Sequence, residues 1–214
     1  MKPVSLLMVA ALCASPLAAP TASAQAPVGA VTIELENNSR KLTVELWYEP
    51  VSAAKVEEFS FRAALRPIQV ARSAEARRNV NRRPLIAISH GNWGTRYSQA
   101  WLALKLVNAG YVVVSTSHPG TVADDQTVAG RFRLWDRATD VSFVLDRILN
   151  DATWAPLIDG QRIGFVGHSF GGWTGVSLAG GRYDLQRSGR SRPRRGPSTG
   201  GTRRDPVLQR RTVS

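Results

Sequence analysis

The stretch Arg162–Gly175, RIGFVGHSFGGWTG, constrains this chain more than any other. Ile163, Phe165 and Val166 make a short apolar strand. Gly167-His168-Ser169-Phe170-Gly171 follows, and a helix is expected from Phe170 to about Gly180. A serine at a sharp strand-to-helix turn must hold a strained backbone. Glycines two residues before and after it avoid the collisions that side chains would cause there. The turn lifts the Ser169 hydroxyl to the end of a sheet, and the following helix presents its positive end to the same spot. The spacing alone arises often by chance. The strand before it and the helix after it are the context that gives it meaning.

The rest of the chain supplies that sheet. Val31 to Tyr48 alternates apolar and polar residues around Asn37-Asn38-Ser39, which predicts an antiparallel hairpin. Pro84–Ser89 (PLIAIS) and Tyr111–Thr116 (YVVVST) are continuous apolar runs of the kind buried on both faces. Helices are expected over Tyr97–Asn108, ended by Gly110, and over Arg131–Leu149. The apolar face of the second is Leu134, Ala138, Val141, Leu145 and Ile148. Asp136, Asp140 and Asp146 fall on its polar side, with Arg137 and Arg147 nearby, and are expected to be solvated. Val51–Asn81 is ambiguous, with helical stretches around Lys55–Leu65 and Val70–Arg78. Strands alternating with helices after a hairpin imply an α/β fold with a mostly parallel sheet. Ligands in such sheets bind beyond the strands' carboxyl ends. The turn at His90, the loop at His118 and Ser169 all belong there.

The two ends of the chain differ from its middle. Lys2, the apolar run Val4–Ala14 and Ala22-Ser23-Ala24 have the form of a secretory signal peptide over residues 1–24, with export after cleavage and a mature start at Gln25. The single cysteine, Cys13, lies inside that segment, so the mature chain would form no disulfide. No segment beyond it has the length and apolarity of a transmembrane helix. The net charge of +12 suggests nucleic acid at first sight, but ten arginines against two acids after Gly181 supply eight of those charges. Residues 184–214 have no helical or strand periodicity and few large apolar residues. They read as a disordered basic tail or as an out-of-frame end. A basic binding protein that uses this tail, or a non-catalytic fragment, is the alternative to an enzyme. No histidine–carboxylate cluster has metal-ligand spacing and no phosphate-binding loop occurs, so no cofactor is implied.

The segments PLIAISHGNWG, LVNAGYVVVSTSHPGT, LWDRATDVSFVLDRIL and IDGQRIGFVGHSFGGWTG stand in an order and spacing that resemble the α/β-hydrolase superfamily. The likeness is to its secreted dienelactone hydrolase-like and platelet-activating-factor acetylhydrolase-like serine esterases, and it covers about residues 30–182. It implies an α/β-hydrolase fold: a mostly parallel sheet, helices on both faces and an N-terminal hairpin, occupying residues 25–183. It implies hydrolysis of a small or lipid-like ester, with Ser169 as nucleophile and the backbone N–H groups of Phe170 and Asn92 as oxyanion donors. His90, Trp93, His118 and Trp173 are candidate pocket residues. His118 is also the one conceivable substitute base, and Trp135 stands equally for pocket or core. The family's triad runs serine, acid, histidine. All three histidines here precede Ser169. No triad acid or histidine is identifiable, so the chain is expected to be an N-terminal portion with impaired activity.

Overall fold

A computed structural model describes residues 26–51, 54–60, 67–78 and 81–182. The expected signal segment and tail lie outside them. The described residues up to Gly180 form one unit; a second begins at Gly181, and only Gly181 and Arg182 of it are described.

The hairpin forms as the alternation predicts. Strands β1 (Gly29–Asn37) and β2 (Arg40–Tyr48) pair in antiparallel register, Gly29 against Tyr48 through Asn37 against Arg40. Asn38 takes a positive φ of 54° in the tight turn, a conformation asparagine tolerates better than most residues. Both apolar runs are strands, and so is the segment before Ser169. These are β5 (Arg83–Ser89), β6 (Val112–Thr116) and β9 (Ile158–Gly167). With β3 (Glu57–Phe59) and β4 (Ile68–Arg72) they build a seven-stranded sheet in the order β3-β4-β1-β2-β6-β5-β9.

Strands β3 and β4 correct the helical expectation for Lys55–Leu65 and Val70–Arg78, of which residues 61–65 lie outside the described part. The reason is tertiary. β4 runs parallel to β1, and the Ala71 and Ser73 amides donate to the Val28 and Ala30 carbonyls at 2.9 and 2.8 Å. Val70 and Ala71 are fully buried there. An open sheet edge that needs pairing outweighs the modest helix propensity of an Ala- and Arg-containing stretch.

Helix α1 (Ala100–Asn108) covers one face of the sheet. It packs Ala100, Ala103 and Val107 on Trp47, Val113 and Ile88. The other face carries Leu42, Val44, Leu46, Leu85, Val112 and Val114. It is covered by Val141, Val144 and Ile148 of α3 (Trp135–Leu149) and by Leu178 of α4 (Phe170–Leu178). The expected single helix Arg131–Leu149 is in fact two. A short α2 (Val128–Phe132), capped by the Thr127 hydroxyl, precedes α3. The loop after β6 contains a small ribbon of β7 (Thr121–Val122) and β8 (Asp125–Gln126).

Register then assembles the site. Ser89 stands beside Thr116 on one side and Gly167 on the other. The three parallel strands therefore end level. The turns that follow them, at His90, Ser117 and His168, lie side by side at the sheet's carboxyl edge.

Candidate active site

Ser169 caps α4 with φ 53° and ψ −114°. Such a conformation costs a non-glycine residue of order 1–3 kcal/mol and persists only where its surroundings enforce it. Here the surroundings are backbone. A Cβ on Gly167 would lie 2.1 Å from the Gly171 carbonyl oxygen, and one on Gly171 would lie 2.0 Å from the Ser89 carbonyl oxygen. Glycine is required at both positions by close approach. Ser169 is exposed, and its hydroxyl has no hydrogen-bond partner among the described residues.

The turn after β5 comes up against it. A Cβ on Gly91 would stand 3.2 Å from Ser169 Cβ and 2.9 Å from His168 Nδ1. The turn is closed by Gly94 N–H donating to the Gly91 carbonyl (3.1 Å) and tied to the β7 ribbon by Trp93 N–H donating to the Thr121 carbonyl (3.0 Å). Trp93 itself takes a φ of 62°. Among the described residues neither the Asn92 N–H nor the Phe170 N–H has an acceptor. Two uncommitted amides and one uncommitted hydroxyl thus share one edge of the sheet.

The remaining candidates take different positions. His90 and His118 are buried, at 2% and 0% exposure, and their rings lie 5.3 Å apart. His118 Nε2 is 2.9 Å from Ser89 Oγ, and its Nδ1 is 3.0 Å from Asp140 Oδ2. His90 Nε2 accepts the His118 amide proton at 3.1 Å, and its Nδ1 is 2.6 Å from the Gly91 carbonyl oxygen. Both rings are therefore engaged at both nitrogens, and neither is bonded to Ser169. Burial pushes the His90 pKa down to about 3, helped by the neighbouring His118 and Arg137. Burial likewise brings His118 to about 4, although Asp140 acts the other way. His168 is exposed, with no side-chain hydrogen bond among the described residues. Trp93 and Trp173 are each 56% exposed, and Trp135 is surface-placed too, so none of the three is a core residue.

Asp140 corrects the expectation of a solvated helix face. It is fully buried, accepting two hydrogen bonds from Arg40, both 2.8 Å, as well as the one from His118. Burial would raise its pKa, but those hydrogen bonds outweigh it and hold the carboxyl below its ordinary value. Arg137, also expected at the surface, is buried. It donates to the His90 carbonyl, to Ser89 Oγ (3.1 Å) and to Thr121 Oγ1 (3.2 Å). Asp136 and Asp146 remain at or near the surface. Sequence reasoning missed Ser89, Arg137 and Asp140. The signal was present in α3: residues 137, 140, 141, 144 and 148 follow the three-and-four spacing of one buried stripe.

A cavity of about 600 Å³ opens beside this edge, lined by Arg40, Lys41, Arg96, Ser117, Pro119 and Asp125 among others. Ser169 is not part of its wall. Among the described residues no three His, Cys, Asp or Glu side chains converge as a metal site requires, and no helix is long and apolar enough to cross a membrane.

No family model matches the chain. Cutinase 2 of Thermobifida cellulosilytica is 34% identical over 103 residues, which are 47% of this chain and 36% of that protein. Cutinase est2 of Thermobifida alba is 35% identical over 103 residues, 47% of this chain and 31% of that protein. The chain thus matches about a third of the length of these relatives. Among solved structures, a ferulic acid esterase from Streptomyces cinnamoneus superposes with a TM-score of 0.60 at 24% identity, covering 75% of this chain and 57% of that one. The chain thus has the α/β-hydrolase fold, and over 103 residues its sequence is similar to those of cutinases.

Proposed function

We propose that the site is built for acyl transfer from a carboxylic ester to water, with Ser169 as nucleophile. The observation that carries this reading is the juxtaposition of the exposed Ser169 hydroxyl at φ 53° with the amides of Phe170 and Asn92, none of which has a partner among the described residues. Ser169 Oγ attacks the ester carbonyl. The two N–H groups meet the oxygen as it becomes negative, and the alcohol leaves. Water then attacks the acyl-serine and releases the acid. The N-terminus of α4 supports the same developing charge. The exposed rings of Trp93, in the turn that carries the Asn92 amide, and Trp173, in the first turn of α4, favour an apolar small or lipid-like ester.

The nucleophile lacks an assigned base. His90 and His118 are buried and spent on internal hydrogen bonds, and no bond joins His168 to Ser169 among the described residues. Oxyanion donors and binding alone leave roughly 10³–10⁴-fold acceleration over water in well-studied triads. This chain is accordingly expected to turn over a nitrophenyl butyrate no faster than its Ser169→Ala variant. An alkyl fluorophosphonate should still label it slowly, and only at Ser169, as read by peptide mass spectrometry. Equal labelling of Ser169→Ala would remove Ser169 as the nucleophile. Rapid, Ser169-dependent turnover would show that a base is in place. Export belongs to the same reading and rests on Ala22-Ser23-Ala24. N-terminal sequencing of exported protein should begin at Gln25, and retention of Met1 would count against it.

A further inference from the structure

We propose that Ser89, His118 and Asp140, headed by Arg137, form a positional relay that aims the Asn92 amide at the oxyanion. It is a serine–histidine–aspartate chain whose three side chains are buried away from solvent. The inference rests on Asn92 N–H being an oxyanion donor.

Hydrogen bonds along this chain can run in only one direction. A guanidinium only donates and an ionised carboxylate only accepts. Asp140 takes two bonds from Arg40 and faces His118 Nδ1 at 3.0 Å, so the proton of the neutral ring sits on Nδ1. His118 Nε2 is then an acceptor, and the Ser89 hydroxyl 2.9 Å away donates to it. The freed lone pair on Ser89 Oγ takes the Arg137 Nη2 proton at 3.1 Å. Both ends of the chain thus force the tautomer in the middle.

The second histidine's tautomer is set separately, by the backbone of the His118 that this chain anchors. The backbone N–H of His118 donates to His90 Nε2 at 3.1 Å. His90 must therefore carry its proton on Nδ1 and donate it to the Gly91 carbonyl, 2.6 Å away. That carbonyl shares its peptide group with the Asn92 N–H. Donors on the oxygen, from His90 and from Gly94, polarise the group and strengthen the N–H that points outward. Arg137 secures the same turn from below, through the His90 carbonyl. It also reaches Thr121, whose carbonyl holds Trp93 N–H. The relay touches the nucleophile loop as well, since the Ser89 carbonyl accepts His168 N–H at 3.1 Å. Arg137 and the His118 backbone reach this turn directly, and Ser89 and Asp140 hold the His118 ring behind them.

The test uses the full chain, Ser89→Ala, Arg137→Lys, and Ser169→Ala as blank. Ring ¹⁵N NMR of the wild type should find Nδ1–H on both His90 and His118; Nε2–H on either overturns the relay. The probe is an alkyl fluorophosphonate. Ser169 Oγ bonds to phosphorus, fluoride leaves, and the hydroxyl proton passes to solvent. Ser89→Ala and Arg137→Lys, assayed below their melting temperatures, should lose about 10- to 100-fold in the maximal labelling rate with little change in half-saturation, the size expected of a misplacement near 1 Å. Unchanged labelling with a lower melting temperature would mean a merely stabilising network and overturn the proposal. If the wild type labels no faster than Ser169→Ala, the esterase reading fails. The relay is then judged on the Asn92 amide resonance alone: a shift in Ser89→Ala supports it, and an unmoved resonance overturns it.

Discussion

At Gly171 a single hydrogen stands between a working turn and a collision. The position has no room for a methyl group, because the Ser89 carbonyl oxygen occupies that space at 2.0 Å. The neighbour is backbone of a central strand, so it cannot move aside as a flexible side chain would. Gly171→Ala should cost about 1–3 kcal/mol or more, as overpacking does. It should also abolish Ser169 labelling, because relief comes most easily by shifting the turn. Gly172 provides the control, since a Cβ there would meet its nearest atom at an ordinary 3.9 Å. Gly172→Ala should leave the urea midpoint within about 0.5 kcal/mol equivalent of the original. A Gly171→Ala chain with unaltered midpoint and labelling would show that the turn is looser than its geometry. These glycines are the part of the site most legible in sequence, because the requirement for them is local. Ser89 has no such local signature. It reads as the polar end of an apolar strand until β6 and α3 bring His118 and Arg137 to it.

On the scale of elements, the same distinction between local and distant causes separates what was legible from what was not. The hairpin β1–β2 and the strands β5, β6 and β9 declare themselves by alternation or by apolar runs, and the structure has them. β3 and β4 do not, because their extended form comes from pairing, β4 with β1 and β3 with β4, and not from their own composition. Helix α3 is instructive in a different way. Its length and amphipathicity are visible, but charge sent Arg137 and Asp140 to the wrong face, although their spacing from Val141, Val144 and Ile148 puts them on the buried stripe. Pattern was the better guide than polarity, since a charged residue can be buried once it finds partners. Asp140→Ala should therefore cost about 3–5 kcal/mol, the range for removing one member of a buried pair, because it strands the buried His118 Nδ1 and removes the bidentate partner of Arg40. Asp146→Ala, on the exposed face of the same helix, should fall within about 0.5 kcal/mol. Urea denaturation with an unchanged slope decides between them. Comparable effects for the two would return Asp140 to the surface.

For the whole molecule, the buried histidines make stability depend on pH in a predictable window. Unfolded, each ring protonates near its ordinary 6.5. Folded, burial keeps both neutral until about pH 4 for His118 and about pH 3 for His90. Above pH 6.5 neither state holds the extra proton, and the histidines contribute no slope. Between 6.5 and 4 the unfolded chain binds more protons than the folded one, so folding weakens as pH falls, by up to about 1.4 kcal/mol per pH unit for each ring. Asp140 acts in the same sense but lower. Its depressed pKa gives stability that is present above 3.8 and is lost as pH falls through the folded value, so it adds nothing to the slope between pH 7 and 5. Urea midpoints at pH 7 and pH 5 should therefore differ clearly in the original chain. His118→Gln removes one of the two titrating rings and should show about half that difference, whatever its stability at pH 7. A chain equally stable at both pH values would mean that His90 and His118 are not held neutral. The tautomer assignments that lead from Arg137 to the Asn92 amide would fall with them, because a doubly protonated His90 cannot accept the His118 amide proton.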